Sequence, residues 1–145
     1  RLTIADAFVY ANKKKPDYLV DIATLTGACL VALGARYTGI MGNDKDLVSA
    51  LIKAGDAVGE KMWELPLIEE YREEMKSPIA DYKNSGTGYA GAITAGLFLE
   101  GFVGKTKWAH LDIAGPSWTD KPLAYTPRGG TGVMVRAMAK FLQDL

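Results

Sequence analysis

The chain contains one histidine, His110, which stands two residues before Asp112. Side chains two residues apart point to the same face of a β-strand, so this pair could ligate a metal ion or form hydrogen bonds in the interior. Two ligands do not complete a metal site, and no third cluster of ligating residues lies nearby in the sequence. The spacing therefore favours a buried, hydrogen-bonded pair. A serine hydrolase is not indicated, because the Gly-x-Ser-x-Gly motif is missing.

A second candidate site is the polar stretch at residues 24–27, which lies between two apolar runs at 18–23 and 28–33. Open α/β sheets bind ligands where a strand leads into a helix, because the helix start has free N–H groups and a positive dipole end. An ordinary strand–helix connection with a threonine cap has the same pattern. Asp21 lies inside the first apolar run, where a buried carboxylate must accept hydrogen bonds, and we expect its role to be structural.

Strands and helices are predicted to alternate along the chain and to position these candidates. Apolar runs predict strands at residues 18–23, 36–41 and 107–115, the first buried on both faces, and an extended edge segment at 62–67. Helices are predicted at residues 1–14, 28–33, 47–58, 68–75, 91–103 and 134–145, the second of them buried. Long loops are predicted at 77–89 and 116–132. This order is typical of an α/β fold, with a mostly parallel sheet flanked by helices on both faces.

Charge and composition argue against several classes of protein. Seventeen basic residues balance seventeen acidic ones, so nothing indicates a nucleic acid or an anionic membrane as partner. No apolar span is long enough to cross a bilayer, which takes roughly 20 residues. The single cysteine, Cys29, has no disulfide partner in the chain, which favours a reducing compartment. The chain starts at Arg1 rather than at methionine, as expected of a processed protein or a piece of a longer one.

Four blocks of the sequence are long enough to compare with a known family. They are RLTIADA (residues 1–7), DIATLTGA (21–28), SPIAD (77–81) and WAHLDIAG (108–115). In type, order and spacing they resemble the leucyl aminopeptidases, the cytosolic two-metal peptidases of the M17 type. The signature of that family reads Asn-Thr-Asp-Ala-Glu-Gly-Arg-Leu, and this chain begins at its arginine. The resemblance implies that residues 1–145 are the C-terminal part of the catalytic domain, and that the metal ligands and the catalytic lysine precede Arg1.

The resemblance also implies roles for five residues. Arg1 matches the family's catalytic arginine, which implies that it holds a bicarbonate that shuttles a proton, and a fork-shaped cation suits such a planar anion. Thr24, Leu25 and Gly27 match the loop that lines the pocket for the first side chain of the substrate, with the Leu25 carbonyl accepting from the substrate. Ala114 matches the opposite wall. The sequence departs from the family pattern at residues 84–91, where a basic residue is expected, and no role is transferred there.

The activity implied is release of an N-terminal amino acid, preferably leucine, from peptides by a cytoplasmic homohexamer that carries two Zn²⁺ or Mn²⁺ ions. The 145 residues alone are expected to be inactive, because they hold none of the family's metal ligands. Two alternatives remain open from the sequence. One is a catalytically silent member of the family with a structural or interaction role, and the other is a small binding module that is complete at this length.

Overall fold

A computed structural model describes residues 1–145. The helices are α1 (Leu2–Asn12), α2 (Gly27–Leu33), α3 (Lys45–Val58), α4 (Gly91–Glu100) and α5 (Val135–Gln143), with a 3₁₀ helix at Glu69–Met75. The strands are β1 (Tyr18–Ala23), β2 (Thr38–Gly42), β3 (Met62–Glu64), β4 (Lys107–Asp112), β5 (Trp118–Thr119) and β6 (Gly129–Gly130). None of the helices combines the length and the apolar character that a membrane span requires.

Four of the strands form one sheet in the order β1-β4-β2-β3. β1 is parallel to β4 and β2 is parallel to β3, whereas β2 and β4 run antiparallel. The remaining strands, β5 and β6, form a separate two-stranded antiparallel ribbon. The predicted α/β fold with a mostly parallel sheet is therefore confirmed, and the one antiparallel pair is the detail that the strand pattern did not reveal.

Each face of the sheet has its own hydrophobic core. On one face α3 and α5 pack against Ala109 and Leu111 of β4. On the other face α1, α4 and the 3₁₀ helix pack around Trp108 of β4, which meets Phe8 of α1 edge to face. Successive residues of a strand point to opposite faces, so β4 contributes to both cores. Helices cover both faces, as predicted.

The prediction that the strand at residues 18–23 is buried on both faces is wrong. β1 is an edge strand that pairs only with β4, and its Tyr18 and Ile22 are 39% and 40% exposed. The central strand is β4, in which every residue from Trp108 to Asp112 is buried. An apolar run has the same composition in either position, and only the strand order distinguishes them.

Three further predictions need correction. The helix expected to be buried at residues 28–33 is α2, which buries only Cys29 and leaves Val31 87% exposed, because only one side of it packs against the protein. The segment at 68–75 forms a 3₁₀ helix, and the strand predicted at 107–115 ends at Asp112. After Asp112 the Ile113 amide still bonds the neighbouring β1, and the Ala114 amide then turns to the Asp112 side chain, which takes the chain out of the sheet.

The register of β1 and β4 brings the ends of these two strands together. Ala23 lies opposite Asp112, and the Ile113 amide donates to the Ala23 carbonyl over 2.9 Å. Because the strands are parallel, the chain leaves both of them at the same edge of the sheet. Residues 24–26 after β1 and residues 113–117 after β4 are therefore neighbours, and we call them the strand-end loops.

Candidate functional site

The carboxylate of Asp112 bonds both strand-end loops. Its Oδ1 atom accepts from the Leu25 amide at 3.1 Å, from the Thr26 amide at 3.4 Å and from the Ala114 amide at 3.1 Å. The Oδ2 atom accepts from the Thr26 hydroxyl at 2.7 Å. Asp112 is fully buried, and no cation lies within ion-pair distance of it. The negative charge is therefore stabilised by four neutral donors, three of them backbone amides.

Thr26 links this carboxylate to the start of α2. Its hydroxyl donates to Asp112 and accepts from the Cys29 amide at 3.0 Å, which caps the helix N-terminus. The sequence-based possibility of a threonine cap is thus confirmed at Thr26. Cys29 lies directly behind the cap, and burial, followed by the charge of Asp112, raises the pKa of its thiol to about 11. The thiol is therefore protonated at neutral pH, which does not favour a nucleophilic role.

His110 and Asp112 are both buried and hydrogen-bonded, as predicted, but each has a different partner. His110 Nδ1 lies 2.6 Å from Asp21 Oδ2, and the Trp108 indole N–H donates to Asp21 Oδ1 at 2.9 Å. Asp21 stands opposite His110 in the register of β1 and β4. The expectation that Asp21 finds donors and serves a structural role agrees with this contact, because it joins the two strands through their side chains.

Arg1 precedes α1 and is half-buried. Its Nη1 atom donates to the Asn84 carbonyl at 2.5 Å, so the long loop before α4 contacts the guanidinium. Burial lowers the pKa of Arg1, and the carboxylate of Asp112 acts in the opposite direction. The guanidinium stays protonated at neutral pH in either case. Only one of its five N–H groups is used within the chain, which leaves the rest available to an anion.

The strand-end loops present backbone atoms rather than large side chains. Thr24 and Gly27 are exposed, Ala114 is partly buried, and the Leu25 side chain packs against the core around Trp108. No hydrogen bond within the chain uses the Leu25 carbonyl oxygen. The loops therefore offer small apolar groups and free carbonyl acceptors, that of Leu25 among them, to a ligand.

The sequence of the chain matches a known protein family. The sequence model described as "Cytosol aminopeptidase family, catalytic domain" matches residues 1–139. The chain belongs to this family.

Individual relatives of the chain are aminopeptidases as well. The chain is 54% identical over 143 residues to a probable cytosol aminopeptidase of Geobacter sulfurreducens, covering 99% of this chain and 29% of that protein. It is 54% identical over 145 residues to a probable cytosol aminopeptidase of Thermosynechococcus vestitus, again 29% of that protein. A solved structure of a tomato leucine aminopeptidase mutant superposes with a TM-score of 0.93 at 41% identity, covering 99% of this chain and 28% of that one. The chain thus spans less than a third of the length of these cytosol aminopeptidase relatives.

The residues of this part of the aminopeptidase fold do not suffice for a metal centre. No group of three or more His, Cys, Asp or Glu side chains converges in a way that could hold an ion. Asp112 is committed to the two loops, and His110 contacts Asp21 through Nδ1 while its buried Nε2 has no partner and no second ligating side chain beside it. Nothing in the chemistry of these side chains therefore fits the two ions that the family resemblance implies.

The structure brings together four of the residues that the sequence assigned to a substrate pocket. Thr24, Leu25 and Gly27 lie on and beside the first strand-end loop, Ala114 lies on the second, and Asp112 joins the two loops. Arg1 lies close enough for the charge of Asp112 to act on its guanidinium. Sequence reasoning missed the bridging role of Asp112. The signal was its position at the end of an apolar strand, where a loop begins; the spacing to His110 had suggested a different role for it.

Proposed function

We propose that this chain is the C-terminal part of the catalytic domain of a two-metal leucyl aminopeptidase, and that it supplies the walls of the pocket for the first side chain of the substrate. The observation that carries the proposal is the contact of the Asp112 carboxylate with both strand-end loops, to which the family resemblance assigns the pocket residues. The chain belongs to that family. The metal ligands belong to polypeptide outside these 145 residues. Bound metal ions would polarise the scissile carbonyl and activate water.

Within this scheme the residues of the chain bind and orient the peptide. The Leu25 carbonyl accepts a hydrogen bond from the backbone or the α-amine of the substrate. Gly27 and Ala114 contact the first side chain, and Thr24 borders the same recess. Arg1 holds a planar bicarbonate with the N–H groups that Asn84 leaves free. Held there by Arg1, such an anion would supply a group able to transfer protons at the reacting bond.

The small apolar groups at the strand-end loops favour a branched aliphatic side chain such as leucine. A hydrophobic pocket distinguishes side chains that differ by a methylene by only about 1–3 kcal/mol, so a broad range of N-terminal residues is accepted. We further propose that the full-length enzyme is a cytoplasmic homohexamer that uses Zn²⁺ or Mn²⁺. The alternative, a catalytically silent member of the family, keeps the same fold and makes no use of the pocket.

A substrate series tests the proposed function in the full-length enzyme. With Zn²⁺ or Mn²⁺ present, kcat/KM for leucine-p-nitroanilide is expected to exceed that for alanine-p-nitroanilide by roughly 10- to 200-fold. This is the discrimination that a hydrophobic pocket achieves between apolar side chains of slightly different size. Lysine-p-nitroanilide serves as the control for a charged side chain and is expected to be the poorest of the three. A folded full-length protein that cleaves none of them with either metal would support the silent alternative.

A further inference from the structure

We propose that Asp112 is a positioning residue that sets the separation of the strand-end loops and aims the Leu25 carbonyl toward the substrate, and so controls which first side chain the enzyme accepts. This inference rests on the proposed function of the two loops as pocket walls. Asp112 itself touches no substrate, because it is fully buried behind the loops.

The contacts of Asp112 are concentrated on the two loops. Its four side-chain hydrogen bonds reach the Leu25 amide, the Thr26 amide, the Thr26 hydroxyl and the Ala114 amide. No other side chain of the protein forms hydrogen bonds with both loops. A carboxylate accepts at both oxygens and donates at neither, so all four contacts can be satisfied at once. Beyond the backbone pairing of β1 with β4, Asp112 is therefore the one side chain that ties the two loops together.

The peptide geometry shows how this group also orients acceptors. All peptide bonds of the chain are trans, and in a trans peptide the N–H and the preceding C=O point in opposite directions. The Thr26 amide points to Asp112, so the Leu25 carbonyl of the same peptide points away from it. On the opposite loop the Ala114 amide also points to Asp112, while the Ile113 carbonyl accepts a hydrogen bond from the Ser117 amide at 3.0 Å. Asp112 thus turns the Leu25 carbonyl away from itself, and this carbonyl has no hydrogen-bond partner within the chain.

A purely structural role would have a different consequence. Satisfying buried amides stabilises the fold, and its loss lowers Tm without favouring one substrate over another. A positioning role predicts that loosening the loops raises KM and reduces the discrimination between leucine and alanine, while kcat changes little. The ratio of the two kcat/KM values therefore separates the two roles.

The test uses Asp112→Asn in the full-length aminopeptidase. The amide oxygen of asparagine can replace Oδ1 toward the three backbone amides, but its NH₂ group cannot accept from the Thr26 hydroxyl. We expect KM for leucine-p-nitroanilide to rise about fivefold, consistent with the loss of one hydrogen bond, and kcat to stay within threefold of wild type. The leucine-to-alanine ratio of kcat/KM is expected to fall about fivefold.

Asp21→Asn is the matched control, since Asp21 is a carboxylate on the paired strand that bonds Trp108 and His110 and neither loop. It is expected to lower Tm and to leave the substrate ratio unchanged. Thr26→Val and Thr26→Ser form a second pair that keeps Asp112 intact and supports the same test if Asp112→Asn fails to fold. Valine, which lacks the hydroxyl, is expected to reduce the ratio as Asp112→Asn does, and serine to restore it.

Suppose that the wild-type enzyme is active and that Asp112→Asn and Thr26→Val both lower Tm. A leucine-to-alanine ratio of kcat/KM within twofold of wild type in both variants would then overturn this inference and leave the proposed function standing. A wild-type enzyme that is folded and metal-loaded yet inactive would overturn the proposed function and this inference with it.

Discussion

The 145-residue chain, purified alone and supplied with Zn²⁺ or Mn²⁺, is expected to show no turnover of leucine-p-nitroanilide, whereas the full-length protein is expected to hydrolyse it. Two-metal hydrolysis requires ligands that hold both ions roughly 3.5–4 Å apart. This chain brings no group of three or more ligating side chains together. The pocket walls alone cannot activate water, so the loss of rate is expected to be complete.

Initial rates with and without metal measure this effect, and circular dichroism establishes that the isolated chain is folded. Adding the remaining polypeptide of the full-length protein is expected to restore activity if the two parts associate. Turnover by the isolated chain that a chelator abolishes would show that these residues hold a working metal centre, and the assignment of the ligands to other polypeptide would then be wrong.

Replacing Arg1 by alanine in the full-length enzyme is expected to lower kcat by about 100-fold, the lower end of what a positioned proton-transfer group contributes. The guanidinium uses one N–H on the Asn84 carbonyl and keeps its others free for a planar anion. Alanine would remove the proposed anion site, and KM for the peptide should change little because the strand-end loops are untouched. Measuring kcat as a function of added bicarbonate tests whether the effect arises from the anion. The rate of wild type should rise with bicarbonate, and that of Arg1→Ala should not change.

Arg1→Lys is the control for charge alone. A lysine keeps the positive charge but cannot form the two parallel hydrogen bonds of a guanidinium, so an intermediate kcat is expected. Loss of the bond to Asn84 costs about 1 kcal/mol of stability, which a Tm measurement separates from the kinetic effect. An Arg1→Ala enzyme with kcat within threefold of wild type, or with an unchanged response to bicarbonate, would exclude the proposed role.

The fold class could be predicted from the sequence, but the positions of the strands within the sheet could not. Alternating apolar runs and helical stretches were sufficient for an α/β fold with helices on both faces of the sheet. They did not reveal that β1 is an edge strand or that β4 is central, because strand order depends on contacts between distant residues. The same limit explains α2, whose apolar sequence indicates burial although Val31 is 87% exposed.

The candidate site shows the same division. Spacing placed His110 and Asp112 on one face of a strand, and both are buried there. Their partners depend on the pairing of β1 with β4, which puts Asp21 beside His110 and the loop after Ala23 beside Asp112. Asp21 and His110 are each the fourth residue of a strand whose start, at residue 18 or 107, was predicted, so parallel pairing in register from those starts would have predicted that contact. The bridging by Asp112 needed the loop geometry as well.

The most direct test of the account is a crystal structure of the full-length enzyme with its metal ions and L-leucine bound. The account predicts that the leucine side chain lies between the strand-end loops, in contact with Gly27 and Ala114, and that the Leu25 carbonyl accepts a hydrogen bond from the ligand. It also predicts that Arg1 faces the same cavity and that no residue of this chain ligates an ion. Leucine bound away from both loops, or Arg1 directed into bulk water in the complete assembly, would contradict it.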